Sequence, residues 1–398
     1  MNHRERTLAA IRGEPTDQIP WAPRMDLWYV AQKARGTLPP KLVGLNTAQL
    51  ADAFGVGCRS LSVDILFTEP ALEDPLLGLG IQNYSDFPYR VELRGLSANV
   101  RKEGDLIHTS IRTPAGEVTM LLELNDEMRR EGITVPFVRK YPIQSVDDLE
   151  AVAQVFEHLV VTPTPEGYAK FRQRVGDSGL AIAQCLSCAS PMQMIFYSLM
   201  EKQEFIYLYA DDRTAVTALA KRMEPYYNQV IAAAAACEAE TVLCGVNFDQ
   251  NLTWPTFFEE EISPWLQRVR DRMHAAGKFV ISHTDGENHL LLPLYRKAAF
   301  DVAESVCPRP MTRCTLKELR EGMGPGITIW GGLCSCAFLR DSMDDAAFKA
   351  YLDKTFSELG DARRLILGVS DNVPPDADLN RLTRVKDRIR EFGPVRVR

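Results

Sequence analysis

The sequence lacks the features that mark several common classes of protein. It has no run of about 18 apolar residues, so we expect no membrane-spanning helix. The charged amino-terminal stretch has no apolar core of the kind found in signal peptides. There is no basic stripe, and the net charge of -7 argues against a nucleic-acid surface. We therefore expect a cytoplasmic protein that contacts neither membrane nor nucleic acid.

Disulfide and nucleotide-binding signatures are also missing. The nine cysteines are an odd number, which favours reduced thiols over a disulfide framework. Neither G-x-G-x-x-G nor G-x-x-x-x-G-K-[ST] follows a predicted strand, so the usual signs of a nucleotide-binding open sheet are absent. Cys185 and Cys188 have C-x-x-C spacing, but no second pair accompanies them. We interpret these two as packing residues.

Apolar strands alternate with amphipathic helices along most of the chain. The predicted strands are 180–185, 241–248, 278–283, 300–306, 327–331 and 364–369. The predicted helices are 1–13, 146–159, 214–238, 259–276, 316–321 and 344–359. Such alternation specifies a mainly parallel sheet with helices outside. Six later strands and one or two early ones favour an α/β fold with a closed (β/α)8 barrel over an open sheet.

Residues 89–124 differ in kind from this alternation. The stretches 89–94, 106–112 and 117–124 have period-two patterns, and turn-forming residues separate them. We predict an antiparallel β excursion from the main domain, at the rim of the barrel.

Polar and thiol side chains follow five successive predicted strands, at the ends where a barrel of this kind has its active site. In chain order they are Asn247 with Asp249, His283 with Asp285, Glu304 with Cys307, Cys334 with Cys336, and Asp371 with Asn372. Any one of them alone is a turn or cap residue more often than a functional one. The uninterrupted run favours a polar pocket. Its catalytic candidates are His283, Asp285, Asp249 and Glu304.

His283 and Asp285 are two residues apart, directly after a predicted strand. In an extended strand end both side chains point to the same face, where they could bind one metal ion. The options for a third ligand are Cys334, Cys336, Cys307 and Asp371. Thiolate, imidazole and carboxylate together suit zinc, which lowers the pKa of a bound nucleophile. The alternative is a plain Asp-Gly turn in which His283 bonds a neighbouring carbonyl.

Several segments occur in an order that is specific to one known group. The first is RERTLAAIRGEPTDQIP at 4–20. The others are TPAGE at 113–117, YPIQSVDDL at 141–149, ISPWL at 262–266, HTDG at 283–286 and GVSDNVPP at 368–375. In these segments the chain resembles the uroporphyrinogen decarboxylase superfamily, which includes cobalamin-dependent methyltransferases. The resemblance runs over nearly the whole chain and implies a single distorted TIM barrel domain over residues 1–398.

The decarboxylases of this superfamily carry an R-Q-A-G-R segment whose two arginines hold substrate carboxylates. The corresponding stretch here is Arg24-Met-Asp-Leu-Trp28, which keeps only the first arginine. One cation does not readily balance a multiply anionic tetrapyrrole in a desolvated pocket. The decarboxylases also use an aspartate within F-S-D-I-L, and Asp64 lies in the similar stretch SVDIL. A decarboxylase acting through Arg24 and Asp64 is therefore the alternative function.

The methyltransferases of the group bind zinc through H-x-C and a distant cysteine, and the zinc activates a thiol that accepts the methyl group. Here H-x-C is replaced by His283-Thr-Asp285, and the distant position reads Ser370-Asp371. An oxygen-rich site is a harder and weaker zinc site, unless Cys334 or Cys336 substitutes. This departure implies a relative that uses an oxygen- or nitrogen-linked methyl donor, such as a methoxylated compound.

The resemblance thus implies a cobalamin-dependent methyltransferase component. It would move a methyl group between a small methylated substrate and a separate corrinoid protein, because the chain has no D-x-H-x-x-G motif of its own. The expected zinc ligands are His283, Asp285, Cys334 and Asp371. The expected substrate-binding residues are Arg24, Asp26, Trp28, Asp64 and Asn247. Outside enzymes, the alternative is a binding module that has kept the barrel, and a homodimer is one option for assembly.

Overall fold

A computed structural model describes residues 1–68, 71–298 and 300–396. Its strands are β1 (Cys58–Leu61), β2 (Tyr89–Leu93), β3 (Ser97–Glu103), β4 (Leu106–Thr113), β5 (Gly116–Glu123), β6 (Phe137–Lys140), β7 (Leu159–Pro163), β8 (Gly179–Leu186), β9 (Thr241–Cys244), β10 (Phe279–His283), β11 (Val302–Val306), β12 (Thr328–Cys334) and β13 (Leu365–Ser370).

The helices of the same ranges are α1 (His3–Arg12), α2 (Asp26–Arg35), α3 (Thr47–Phe54), α4 (Asp126–Arg130), α5 (Leu149–Glu157), α6 (Pro165–Val175), α7 (Pro191–Met194), α8 (Lys202–Asp211), α9 (Arg213–Ala236), α10 (Pro255–Phe257), α11 (Ser263–Ala275), α12 (Leu292–Ala298), α13 (Leu316–Met323), α14 (Asp345–Ser357) and α15 (Asn380–Phe392). Within the described ranges, none of the helices combines the length and the apolar character that crossing a bilayer requires.

Seven parallel strands form the main sheet. Their order is β1-β8-β9-β10-β11-β12-β13. Strands β8 to β13 are almost entirely buried, because helices cover one face and the apolar core of the curled sheet fills the other. The six strands and the parallel α/β architecture expected from the sequence are confirmed, apart from shifts at the ends. Strand β9 ends at Cys244, four residues early, because Gly245 turns the backbone at φ 83°.

The sheet is curled as in a distorted TIM-like fold, but its seven described strands do not close into the eight-stranded barrel expected from the sequence. An extended segment around Trp21 lies across the gap instead. It pairs with Leu367 of β13, and the amide of Ala22 donates to the Leu367 carbonyl at 2.9 Å. On its other side, the amide of Gly57 donates to the Trp21 carbonyl at 2.8 Å. Two prolines, Pro20 and Pro23, flank this segment and limit its pairing.

The antiparallel excursion is confirmed in part. Strands β4 and β5 pair antiparallel as expected, within a four-stranded sheet of order β3-β4-β5-β6. The prediction for 89–94 was wrong in its partner, because β2 pairs with β7 in a separate two-stranded sheet. The predicted helix 146–159 ends two residues early, at Glu157, because Leu159 is already the first residue of β7. Strand β3 was missed because its exposed, polar sequence SANVRKE carries no apolar alternation.

The contact between β1 and β8 leads to a test of the sheet register. Gly179 lies opposite Cys58, and a Cβ atom added to it would lie 2.2 Å from the Cys58 carbonyl oxygen. We expect Gly179→Ala to lower the free energy of unfolding by about 2–3 kcal/mol, because backbone must move to relieve the overlap. Chemical denaturation measures this loss.

Gly326→Ala is the control for Gly179→Ala, since the added Cβ would meet nothing within 4 Å. We expect this control to change stability by less than about 0.5 kcal/mol. Equal effects of the two substitutions would contradict the register described for β1 and β8.

Candidate functional site

An apolar core fills the concave face of the curled sheet, and polar side chains lie above it. Ile281 and Val302 belong to this core. His283 and Glu304 follow them by two residues, so they point to the same face one step nearer the carboxyl ends of the strands. The pairing of β10 with β11 places His283 and Glu304 side by side. The alternation of two neighbouring strands therefore brings an imidazole and a carboxylate together.

A buried ion-pair chain starts from this contact. The Nδ1 atom of His283 lies 2.5 Å from Oε2 of Glu304. The guanidinium group of Arg59, from β1, donates to the other oxygen of the same carboxylate. The side chains of Arg59 and Glu304 are 2% and 1% exposed. Burial would raise the pKa of Glu304, but the charges of Arg59 and His283 hold it below its usual value.

Asp371, which directly follows β13, joins two arginines. Its Oδ2 accepts a hydrogen bond from Nη1 of Arg24 at 3.0 Å, and its Oδ1 lies 3.4 Å from Nη2 of Arg59. The Ser305 hydroxyl also donates to Oδ1, at 3.1 Å. Burial opposes the charge, but Arg24, His283 and Arg59 hold the pKa of Asp371 far below its usual value. Asp26 accepts from Nε of Arg24 at 2.9 Å and so fixes the direction of this arginine.

His283 also faces two carboxylates with its outer nitrogen. Its Nε2 lies 3.6 Å from Oδ1 of Asp285 and 3.7 Å from Oδ1 of Asp371. Burial disfavours the charged imidazole, but Glu304 and Asp371 outweigh it, so the pKa of His283 is raised. The carboxylates around the ring therefore favour its protonated form.

Asp285 is the most open of these acids, with 35% of its side chain exposed. Burial of its carboxyl raises the pKa of Asp285, and the negative charges of Asp371 and Glu304 act in the same direction against the attraction of His283. The arrangement thus pairs a carboxyl group and an imidazole whose pKa values are both raised. Such a pair can donate a proton to a bound molecule.

Asp249 holds the loop that carries Asp285. Its two carboxylate oxygens accept hydrogen bonds from the amides of Asn251 and Glu287, both at 2.8 Å. Gly286 has φ 96°, and a Cβ atom there would lie 2.6 Å from Oδ2 of Asp249. Only glycine fits this close approach without strain. Asp249 thus fixes the position of this loop, and its catalytic role stays a prediction.

Two predicted substrate-binding residues, Trp28 and Asp64, have structural partners elsewhere, and a third, Asn247, lies on the surface. Trp28 is buried in the main core with its ring edge against Phe54, so we reassign it from substrate contact to packing. The carboxylate of Asp64, from a residue that is 1% exposed, accepts hydrogen bonds from the hydroxyl of Thr47 at 2.5 Å and from the Leu66 amide at 3.2 Å. Asn247 is exposed in a left-handed turn at φ 57°.

The thiols do not complete a zinc site. The Sγ atom of Cys334 is 3.6 Å from that of Cys336, and burial raises the pKa of Cys334 to about 12. Among the residues that the structure describes, no group of three His, Cys, Asp or Glu side chains is arranged to hold a metal ion. Asp371 already faces two guanidinium groups, which would repel a divalent cation. In this arrangement these donors do not fit zinc, and zinc binding stays a prediction.

Arg59 is the residue that sequence reasoning missed. It lies in the stretch Cys58-Arg-Ser-Leu61 and pairs with Leu180 of β8, a residue of the inner core. A charged residue at an inward position of a buried strand requires a partner, and this was the available signal. The partner, Glu304, lies 245 residues away and was not identifiable from the local sequence.

Comparison with known proteins places the fold. No protein-family model and no characterised protein matches the sequence. Among solved structures, a methyltransferase from Methanosarcina mazei is similar, with a TM-score of 0.56 and 13% sequence identity. The match covers 98% of this chain and 99% of the other. At this identity the likeness shows a shared fold and nothing finer.

The buried chain of charges leads to a test of its energetics. Arg59→Met leaves the Glu304 carboxylate with His283 alone, and we expect it to lower the free energy of unfolding by about 3–5 kcal/mol. The double variant Arg59→Met, Glu304→Met should recover part of this loss, because it buries neither charge. Denaturant unfolding of the single and double variants measures the coupling.

Lys297→Met is the matched control for Arg59→Met, since Lys297 forms an exposed ion pair with Glu259 at 2.6 Å. We expect it to cost less than about 1 kcal/mol. A loss in Arg59→Met as small as that in the control would contradict the buried network.

Proposed function

We propose that this protein is a methyltransferase component that takes a methyl group from a small oxygen- or nitrogen-linked donor. A separate corrinoid protein would supply the nucleophile that accepts the methyl group. The observation that carries the proposal is the pair of His283 and Asp285 at the open, carboxyl end of the sheet, with His283 fixed from behind by Glu304. The fold shared with a methyltransferase supports methyl transfer in general.

The reaction needs a proton at the leaving atom. When the methyl carbon is attacked, its bond to the donor oxygen or nitrogen breaks and the electron pair stays on that atom. Asp285 gives its proton to this atom, so the demethylated product leaves neutral at that position. His283, 3.6 Å from Asp285, holds the acid in place and balances the carboxylate that the transfer leaves behind. Solvent reprotonates Asp285, since its side chain is partly exposed.

Arg24 supplies an anchor for a negatively charged or phenolic group of the donor. Its Nε and Nη1 atoms bind Asp26 and Asp371, and Nη2 has no hydrogen-bond partner among the described residues. A guanidinium group held on two sides in this way is ordered before the substrate arrives. Substrate binding therefore costs little side-chain entropy.

The rim of the site is suited to a protein partner. Leu252, Leu290 and Met311 are 39%, 51% and 52% exposed, respectively. They lie in the loops that follow β9, β10 and β11 at their carboxyl ends, the end of the sheet at which His283 lies. Exposed apolar residues grouped at one face are typical of an interaction surface. Docking of the corrinoid protein at this rim would cover the proton donor and exclude water from the transfer.

The placement of Asp64 argues for methyl transfer over decarboxylation. A decarboxylase of the related type needs this aspartate at its substrate. Here the carboxylate instead accepts hydrogen bonds from Thr47 and Leu66. The second arginine of the decarboxylase motif is also absent, since Trp28 stands in its place.

Removal of the proposed acid tests the mechanism. We expect Asp285→Asn to lower kcat by about a hundredfold or more for methoxylated donors, because proton donation contributes that much to such reactions. The loss should shrink for donors whose leaving group is a weaker base. Steady-state demethylation with a reduced corrinoid as acceptor measures both rates, and Asp271→Asn on the exposed face of α11 is the control. An equal loss for every donor would contradict the acid role.

Arg24 is tested by the charge of the donor. We expect Arg24→Gln to raise KM by about tenfold to a hundredfold for a methoxylated carboxylate, because a charge-assisted hydrogen bond is lost. A neutral methoxylated analogue should show little change in KM. The exposed substitution Arg94→Gln serves as control. If both donors lost affinity equally in Arg24→Gln, the arginine would have a structural role only.

A further inference from the structure

A second cleft lies outside the candidate site. It is formed between α2, the segment 65–68 after β1, and residues 124–134, and has a volume of about 380 Å³. None of its lining residues belongs to the cluster around His283. A volume of this size is within the range of sites that bind small molecules and is too small for a folded segment of a partner.

The walls of the cleft are mostly apolar. Wall residues include Val30, Ala34, Ile65, Leu72 and Leu124. Phe67 and Ile133 stand at its edge and are 64% and 40% exposed. Apolar side chains that remain accessible around a concave site favour a ligand with a ring or a branched hydrocarbon body.

Tyr84 supplies a hydrogen-bond donor inside the cleft. Its side chain is buried, with 8% of the residue exposed, and its ring packs against Phe87 at a centroid distance of 5.3 Å. Buried tyrosines such as Tyr89 and Tyr168 donate to backbone carbonyls. Tyr84 lines the cleft, and its hydroxyl bonds to no other residue in the described ranges. Burial raises its pKa to about 12, so it stays protonated and able to donate.

The charged residues that line the cleft favour an anionic ligand. Lys33 and Arg129 both line the cleft, and none of the described lining residues is acidic. Lys33 forms no ion pair with a described residue, and the one carboxylate near Arg129 is the exposed Asp126 at 3.6 Å. Two cations beside apolar walls attract a ligand that has an acidic group at one end.

From these features we infer that the cleft binds a small organic anion with an aromatic or branched apolar body, such as a monocyclic aromatic carboxylate. The apolar body lies against Val30 and Leu124, and the carboxylate faces Lys33 and Arg129. The hydroxyl group of Tyr84 donates a hydrogen bond to an oxygen of the ligand. This site is separate from the proposed methyl transfer, and its occupation does not depend on that proposal.

The test is isothermal titration calorimetry of the full chain with benzoate as the probe and benzyl alcohol as its neutral counterpart. We expect benzoate to bind, and benzyl alcohol to bind at least about tenfold more weakly, because it cannot pair with the cations. Lys33→Gln should weaken benzoate binding by about tenfold, and Tyr84→Phe by severalfold. Ala34→Trp should abolish binding, because the indole fills the cleft from an exposed position of α2.

Two control variants separate this site from others. Lys41→Gln removes an exposed cation that does not line the cleft and should leave binding unchanged. Arg24→Gln removes the anion anchor proposed for the site around His283, so benzoate that still binds to this variant binds in the second cleft. The inference is overturned if benzoate does not bind at millimolar concentration, or if Ala34→Trp binds it as the natural sequence does. Loss of binding in Arg24→Gln alone would assign benzoate to the other site and overturn it equally.

Discussion

Arg59, Glu304 and His283 place three ionisable groups against an apolar core, where an unpaired charge costs several kcal/mol. Each group comes from a different strand, so the chain of contacts exists only when β1, β10 and β11 lie in the register described here. Asp371 and Arg24 extend the chain to β13 and to the segment before α2. The geometry of the candidate site is therefore a consequence of how the sheet is assembled.

The same network shifts the pKa values of Glu304 and Asp285 in opposite directions. The pKa of Glu304, buried between Arg59 and His283, is lowered, while the pKa of Asp285, at the opening of the site, is raised. The surroundings of these two carboxyl groups, both near one imidazole, thus shift their pKa values in opposite directions. The chemical group is a carboxyl in both residues, so the difference comes from the neighbouring charges and from burial.

Features that depend on neighbouring residues could be predicted from the sequence, whereas contacts between residues far apart in the chain could not. The six later strands were predictable because each is a short apolar run bounded by turns. The position of His283 at a strand end was predictable because it follows from the residues directly before it. The partner of Arg59 and the partner of β2 were not, since both lie far away in the chain. Asp249 accepts hydrogen bonds from two backbone amides, one in its own loop and one in the next, and a sequence pattern does not predict such contacts. Strand β3 was hidden by its polar composition.

The segment around Trp21 bears on the order of folding. It is hydrogen-bonded to Leu367, a residue made hundreds of peptide bonds later, and Thr16 pairs in turn with Val395. During synthesis the early segment must remain without its partner until β13 has emerged from the ribosome. Contacts of such high sequence separation slow folding and leave a strand edge open to other chains in the meantime. Pairing of the Trp21 segment with β13 therefore cannot begin until the other six strands of the main sheet have been synthesised.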